Sequence, residues 1–530
     1  MVGRITLLDC TLRDGGYVND WEFGNGNMIS IYDRLNQSGV EVIEIGFLDD
    51  RRPEDMNRSI QPNTAAMTRA YSKGMERKST IVAMIDYGTC SLDNLQPQSE
   101  TTIDGIRVIF KKNNMHKAVE FGKGVIAKGY KLFLQMVSIT SYEDDDVKEF
   151  CDHVNETTPF GVSIVDTYGL MHKEQVFHYF ELLDKYLKKD ISIGYHSHNN
   201  FQLAYSNTIE MLGLKTDRDV IVDGTLYGMG KSAGNAPIEL LSMYLNDNMG
   251  KSYDINQMLE AIDVNIMPIY EKHYWGYSLF FYLAAKNDCH PNYVKYLMDK
   301  RSLSVKDINV ILDKISPELK LKYDADHIES IYSEYLLGTV KSDDESLGKL
   351  FGSRPILVIG PGKSVADRCG DIREFIKEKD PLTVAVNFIP SGIDADYIFF
   401  SNPKRYSLMM PKMKGCGSKI IATSNITPAS DPFDYVVRYD GLISESGEIW
   451  DNALVIFINL LRCHGIKSIT LAGFDGFEGS VEENYIGKEF DLSKDQNYLS
   501  AVNRLLTEKI SEYRSEMDIV FLTPSKYDRV

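Results

Sequence analysis

The sequence predicts an α/β chain: an N-terminal (β/α)8 barrel with a helical extension, followed by a second, open α/β unit. Three observations carry this prediction. Eight short apolar runs alternate with amphipathic stretches over residues 1–250; residues 251–345 keep helical spacing without β-branched runs; and strand–helix alternation restarts in residues 350–530. A length of 530 residues suits two to four domains.

The barrel strands are expected at Arg4–Cys10, Val42–Phe47, Thr80–Ile85, Gly105–Phe110, Leu132–Val137, Val162–Asp166, Ile191–His196 and Val220–Asp223. Helical spacing fills the longer gaps, as in Met28–Gln37, Lys117–Lys128, Lys173–Leu187 and Phe201–Leu212. Such alternation means a parallel sheet with right-handed crossovers, and eight units in this length fit a closed barrel. A doubly wound open sheet is the alternative. Helices follow at Ile255–Ile266, Tyr277–Lys286, Pro291–Asp299, Val305–Lys314 and Ala325–Leu336, and the polar run Lys341–Gly348 reads as a linker. The second unit is expected to place strands at Pro355–Ile359, Leu382–Asn387, Tyr397–Phe400, Lys419–Ala422, Tyr435–Tyr439, Ser468–Ala472 and Asp518–Leu522, with a long helix at Asp451–His464.

Composition narrows the function classes. Apolar residues make up 43% and charged residues 25%, as in an ordinary globular protein. The 58 basic against 76 acidic residues give −18, a field that repels phosphate backbones and anionic lipid, so nucleic acid and membrane are not expected partners. No apolar run is long enough to span a bilayer and no leader pattern opens the chain; a cytoplasmic protein is expected. Seven scattered cysteines without C-x-x-C argue against a disulfide framework or a thiolate zinc site.

Chemistry concentrates where three strands end. Thr11-Leu-Arg-Asp-Gly-Gly-Tyr17 follows the first strand, His196-Ser-His-Asn-Asn200 ends the seventh, and Gly228-Met-Gly-Lys-Ser-Ala-Gly-Asn-Ala-Pro237 follows the eighth. The C-terminal strand ends of such barrels hold active sites. Strand side chains alternate faces, so His196 and His198 point the same way. Closure makes strands one, seven and eight neighbours, which lets Asp14 reach both imidazoles, with the amide oxygen of Asn235 as a fourth ligand. This mixed N/O set suits octahedral Mg²⁺ or Mn²⁺, with Zn²⁺ the weaker alternative. Singly, each segment also reads as an ordinary strand histidine pair, a solvated turn or a tight glycine loop. Glu44, Asp166 and Gly230 are further pocket candidates for substrate binding, while Arg107 and Gln135 lie within strands whose facing the sequence leaves open.

Together the three segments resemble the signature of the DRE-TIM metallolyases. That superfamily contains 3-hydroxy-3-methylglutaryl-CoA lyase, the isopropylmalate and homocitrate synthases, the pyruvate carboxyltransferase domains and 4-hydroxy-2-oxovalerate aldolase. The G-x-G-x-x-A-G-N-A-P run is most similar to the aldolase branch. The resemblance implies a metal held by Asp14, His196, His198 and Asn235, with Arg13 beside the substrate's enolate oxygen. It also implies a 2-oxo acid such as pyruvate with an aldehyde partner, sugar-derived aldehydes of glycan biosynthesis included, in a homo-oligomeric enzyme. The chain departs from the family at three places. Tyr17 replaces the aldolases' histidine, and a phenol with pKa near 10 is a poor base unless metal or Arg13 lowers it. The loop at Tyr227–Gly230 lacks the CoA lyases' cysteine. Asn200 stands where the synthases usually carry Asp, which leaves an acetyl-CoA-dependent Claisen-type synthase as the alternative. His273–Ser278 resembles the aldolase segment that supplies a pocket tyrosine, which makes Tyr277 a positioning candidate.

In the second unit, Ile356–Ser364 fails both the P-loop and the dinucleotide pattern, leaving a tight turn at Gly360 and Gly362 with Ser364 as a helix cap. Backbone N–H groups there offer a weak phosphate site. With Val386-Asn387, Asp396–Phe400 and Leu471–Asp475, the unit resembles the Rossmann-like domain of bacterial CMP-sialic-acid sialyltransferases. That implies a nucleotide or nucleotide-sugar binder, and a transferase with a degenerate barrel is the corresponding alternative.

Overall fold

The structure is a computed structural model that describes residues 2–71, 77–300, 303–320, 322–338, 344–413, 415–428, 432–444, 447–477 and 496–528. The chain forms two compact units, residues 1–291 and 292–530.

In the first unit eight parallel strands close into a barrel: β1 (Ile5–Asp9), β2 (Val42–Leu48), β3 (Thr80–Asp86), β4 (Gly105–Phe110), β5 (Lys131–Met136), β6 (Gly161–Asp166), β7 (Ser192–Ser197) and β8 (Val220–Gly224). Pairing of β1 with both β8 (Leu7 opposite Val222) and β2 (Leu8 opposite Val42) closes the ring. Both faces of each strand are covered, by helices outside and by packed side chains inside, which is why the strands read as continuous apolar runs. Alternation then builds layers inside the barrel. One interior layer is apolar, with Leu8, Val42, Val82, Phe133 and Ile221 in mutual contact. Two residues further along their strands, Glu44, Gln135 and Asp223, joined by Arg107 of β4 and His196 of β7, form a polar layer toward the C-terminal mouth. A register shift in β2 admits Gly46, whose φ of +152° and closeness to the Ser59 carbonyl leave no space for a Cβ.

Beyond the barrel the chain is helical, with segments that include Ile255–Ala261, Leu279–Lys286, Pro291–Asp299, Val305–Asp313 and Ala325–Gly338. The expected linker is corrected in part. Residues 341–343 lie outside the described residues, but Asp344–Phe351 is a helix whose Leu347 and Phe351, one turn apart, sit in the core of the second unit.

The second unit's sheet is open and wholly parallel: β9 (Ile356–Ile359), β10 (Leu382–Val386), β11 (Tyr397–Phe400), β12 (Lys419–Thr423), β13 (Tyr435–Val437), β14 (Ser468–Ala472) and β15 (Asp518–Phe521), in the order β13-β12-β11-β10-β9-β14-β15. Chain direction across the sheet reverses at β9, so the crevice beyond the ends of β9 and β14 is a topological switch point. Among the described residues, no helix is long and apolar enough to cross a membrane.

Candidate active site

The turn after β1 fixes the first donor. Thr11 donates from its N–H and its hydroxyl to the buried Asp9 carboxylate (2.9 and 2.7 Å), and the Thr11 hydroxyl in turn accepts the Leu226 N–H at 2.8 Å. This anchors the helical turn Thr11–Asp14 to the loop after β8. Asp14, 1% exposed, then faces two imidazoles: His196 Nε2 lies 3.6 Å and His198 Nδ1 3.9 Å from its Oδ2. Those separations exceed a good hydrogen bond and suit two ligands of one cation. The imidazole rings stand 5.3 Å apart and nearly perpendicular.

Asn235 completes the group. Its Nδ2 donates to Asp14 Oδ2 at 2.5 Å, while its own Oδ1 is buried without a hydrogen-bond partner; Asp14 Oδ1 is likewise without a well-aligned donor. Buried acceptors of this kind are costly unless something satisfies them. One ligand atom from each of Asp14, His196 and His198 lies within 4.8 Å of the others. Orphaned oxygens beside two imidazoles and a carboxylate, with no thiolate in that set, fit a divalent cation. Gly230 makes the approach possible: a Cβ there would sit 2.2 Å from Asn235 Nδ2 and 3.2 Å from Asp14 Oδ2.

Around these residues runs a closed circuit of six buried ionisable side chains. Arg13 Nη1 lies 3.1 Å from Asp14 Oδ1, and Arg13 Nε donates to Glu44 Oε2 at 2.7 Å. That same oxygen accepts from Arg107 Nη1 at 2.9 Å; Arg107 Nη2 donates to Asp223; and Asp223 Oδ2 lies 3.0 Å from His196 Nδ1. His196 Nε2 returns to Asp14. Anions alternate with arginines or imidazole at every step. Burial alone pushes the Asp14 carboxyl up, but Arg13 and the two histidines outweigh it and hold it well below the usual range. Asp223 is likewise low, its burial overcome by Arg107 and His196. Burial opposes protonation of His196, yet Asp14 and Asp223 on either side raise its pKa. Burial takes His198 down to about 4 despite Asp14, so its imidazole is neutral at pH 7.

Asp223 escaped the sequence reading. The run Val220-Ile-Val-Asp-Gly224 shows only an apolar strand ending in a turn; the signal was Asp223 standing two residues after Ile221, on the same inner face. The structure settles the facing of Arg107 and Gln135: both point inward, hydrogen bonded at 3.0 Å. Lys231 was passed over in a loop read for its glycines. Its ammonium sits 5.3 Å over the Tyr17 ring, and burial, with Lys111 and Arg13, pushes its pKa below the ordinary lysine range.

Other expected residues fall differently. Tyr17 is 41% exposed and packs on Trp21, and burial pushes its phenol up to about 12 against the pull of Arg13. Arg13 therefore does not make it a base. Asp166 ends β6, but its carboxylate accepts the Leu170 and Met171 N–H groups at 3.0 and 3.1 Å and so shapes its own loop. In the segment after the barrel it is Trp275 that docks, donating Nε1 to the Tyr227 carbonyl at 3.0 Å, while Tyr277 is 54% exposed and pairs with Tyr282.

In the second unit the amides of the Gly360–Ser364 turn have protein acceptors. Gly360 and Gly362 donate to the carbonyls of Ala472 and Gly473, and Ser364 N–H to Asp475 at 2.8 Å. A Cβ at Gly362 would meet the Gly473 oxygen at 2.5 Å, so the glycines allow the two loops at the switch point to touch. Beside them a cleft of about 230 Å³ opens, lined by Asn387, Arg405, Asn452, Phe474 and Tyr498 among others.

Comparison with known proteins places the first unit. Residues 4–264 match the HMGL-like family model. An oxaloacetate decarboxylase of Mycobacterium tuberculosis is 27% identical over 240 residues, 44% of this chain and 68% of the relative. A 4-hydroxy-2-oxovalerate aldolase of Pseudoalteromonas translucida is 23% identical over 282 residues, 51% of this chain and 78% of the relative. The crystal structure of Bacillus subtilis HMG-CoA lyase superposes with a TM-score of 0.40 at 18% identity, covering 52% of this chain and 95% of that one. Residues 4–264 form an HMGL-like domain of the kind that defines the DRE-TIM metallolyase superfamily.

Proposed function

We propose that the first unit is a divalent-metal-dependent carbon–carbon lyase that makes or breaks the bond next to a pyruvate unit. The observation that carries this reading is the buried Asp14–His196–His198 group with the orphaned Asn235 oxygen at its side. Relatives across the match are C–C lyases, and lyases of the superfamily depend on a divalent cation. Mixed nitrogen and oxygen donors favour Mn²⁺ or Mg²⁺. Bound there, the cation supplies Lewis acidity to the oxygens of a 2-oxo acid.

The chain's own residues do the rest. Arg13, pinned by Glu44 and Asp14, holds a fixed guanidinium where negative charge develops on the keto oxygen, and burial makes that charge count. Asp223 accepts a hydrogen bond from His196 Nδ1, which would leave the Nε2 lone pair for the cation. Tyr17 stays protonated at neutral pH and donates a hydrogen bond to substrate. Glu44 acts by holding Arg13, Gly230 by leaving space, and Asp166 by shaping its loop.

Which bond breaks depends on the proton. Aldol cleavage needs a base for the substrate hydroxyl, and Arg13 alone does not lower the Tyr17 phenol into that role. Decarboxylation of a 2-oxo diacid needs no base there, because carbon dioxide leaves with no proton to remove. Oxaloacetate is therefore a second substrate reading beside an aldol of pyruvate with an aldehyde, in keeping with the oxaloacetate decarboxylase among the relatives. The Claisen-type alternative is not favoured by the relatives. The test is pyruvate release, coupled to its reduction, from oxaloacetate and from a panel of 4-hydroxy-2-oxo acids, with wild type, Asp14→Ala and His196→Ala. Mn²⁺-dependent release from either class, lost in both variants, is expected. Release that ignores EDTA and both substitutions would overturn the reading.

For the second unit we propose a nucleotide or nucleotide-sugar ligand in the switch-point cleft. Support comes from the strand order, from Phe474 and Tyr498 as stacking surfaces and from the Arg405 cation. The glycine turn's amides lend no support, since they are already engaged. Thermal-shift titration with CMP, UDP and ADP tests it, and no shift with any of them would count against it.

A further inference from the structure

We propose that the outer wall of the barrel carries a second metal site, for a borderline transition ion such as Zn²⁺, built by His116, Glu149 and His153. Two neighbouring helices supply it: Met115–Ala127, after β4, and Asp144–Thr157, after β5. Glu149 and His153 are four residues apart and so lie on one face of their helix. His116 Nε2 lies 3.1 Å from Glu149 Oε1, the His116 and His153 rings meet edge to face at 4.5 Å, and one ligand atom from each of the three residues falls within 4.8 Å of the others.

Two ligands bonded to zinc at about 2.0–2.1 Å stand roughly 3.3 Å apart in a tetrahedron. The His116–Glu149 pair already has nearly that spacing, and exposed side chains bring the third atom in by rotation alone. Two imidazoles and one carboxylate select zinc or copper over magnesium and calcium. Charge helps as well: the second helix holds Asp144, Asp145, Asp146, Asp152 and Glu156 beside Glu149, against Lys148. Water fills the remaining positions, because the site is open. A bound ion ties two barrel helices together, so it raises stability by mass action. This site shares no residue with Asp14, His196, His198 and Asn235, and it stands whether or not the lyase reading does.

The test uses the full chain with excess Mg²⁺ present, titrated with ZnCl₂ and followed by calorimetry and by melting temperature. Wild type is expected to take up zinc and to melt higher with it. His116→Ala and His153→Ala are each expected to weaken this uptake by roughly tenfold or more and to abolish the melting shift, while Asp14→Ala keeps both. All three substituted proteins are first compared with wild type by circular dichroism. His116→Gln, which keeps side-chain bulk, repeats the test should the alanine variant fail to fold. Zinc uptake unchanged in the His116 and His153 variants, or lost only in Asp14→Ala, would overturn the proposal.

Discussion

Replacing Asp223 by Asn probes the circuit that holds His196. The substitution keeps shape and removes one charge. The carboxylate accepts from His196 Nδ1 at 3.0 Å and from Arg107; the amide offers one acceptor oxygen and, on its other side, an N–H that cannot accept. Both donors converge on one oxygen, Oδ2, while Oδ1 has no partner, so an amide oxygen in that place accepts both without the carboxylate's charge, and the proton on Nδ1, which keeps the Nε2 lone pair for the cation, is held less firmly. A hydrogen bond to a charged group is worth about 1.5–3 kcal/mol, and each tenfold in affinity costs about 1.4 kcal/mol. Roughly 10- to 100-fold weaker metal binding follows, the range found for lost carboxylate partners of metal-bound histidines. Mn²⁺ affinity, read from the free-ion electron paramagnetic resonance signal, is the assay. Circular dichroism confirms the fold, which Glu44 helps to preserve by still countering Arg107. A folded Asp223→Asn protein that binds Mn²⁺ as tightly as wild type would refute the reasoning.

Three further outcomes follow from the same geometry. Arg13→Lys loses the two-sided hold on Glu44 and Asp14, so kcat should fall about 10²- to 10³-fold while Mn²⁺ affinity stays within a few-fold; intact kcat would contradict the role given to the guanidinium. Tyr17→Phe should lower the rate without altering the shape of its pH profile below pH 10, since the phenol titrates at about 12; a vanished ionisation in the neutral range would make Tyr17 a base after all. Asp9 gives a stability test. Burial raises its carboxyl from 3.8 to about 7, so between those values the folded chain holds a proton that the unfolded chain has lost. Its contribution to stability therefore declines as pH rises from about 4 to 7. Asp9→Asn should flatten that decline in urea-unfolding midpoints, and an identical slope would remove the assignment.

Much of the barrel was legible because parallel strands covered on both faces leave unbroken apolar runs, and every expected barrel strand lies within a residue of the observed one at each end. Strand alternation likewise put His196 and His198 on one face beside Asp14. The polar layer was less legible. Arg107, Gln135 and Asp223 come from three strands, and their facing becomes visible only when the barrel's register lines them up. Tyr17 turns on its surroundings: its neighbour Arg13 pulls the pKa down, but the desolvation of its hydroxyl raises it further. Residues 344–348, the start of the helix Asp344–Phe351, read as linker because they are mostly polar, and the apolar pair Leu347 and Phe351 has meaning only against the core it enters. The turn at Gly360 and Gly362 offered a weak phosphate site because sequence shows donors without showing what already accepts from them.

The central claim is a single cation held by Asp14, His196 and His198. Its most direct test is an anomalous difference map at the manganese edge from crystals grown with Mn²⁺. The account predicts one dominant peak at the barrel mouth, bonded to an Asp14 carboxylate oxygen and to one nitrogen of each histidine. A protein that releases pyruvate in the presence of Mn²⁺, yet shows no density between those three side chains, would contradict it.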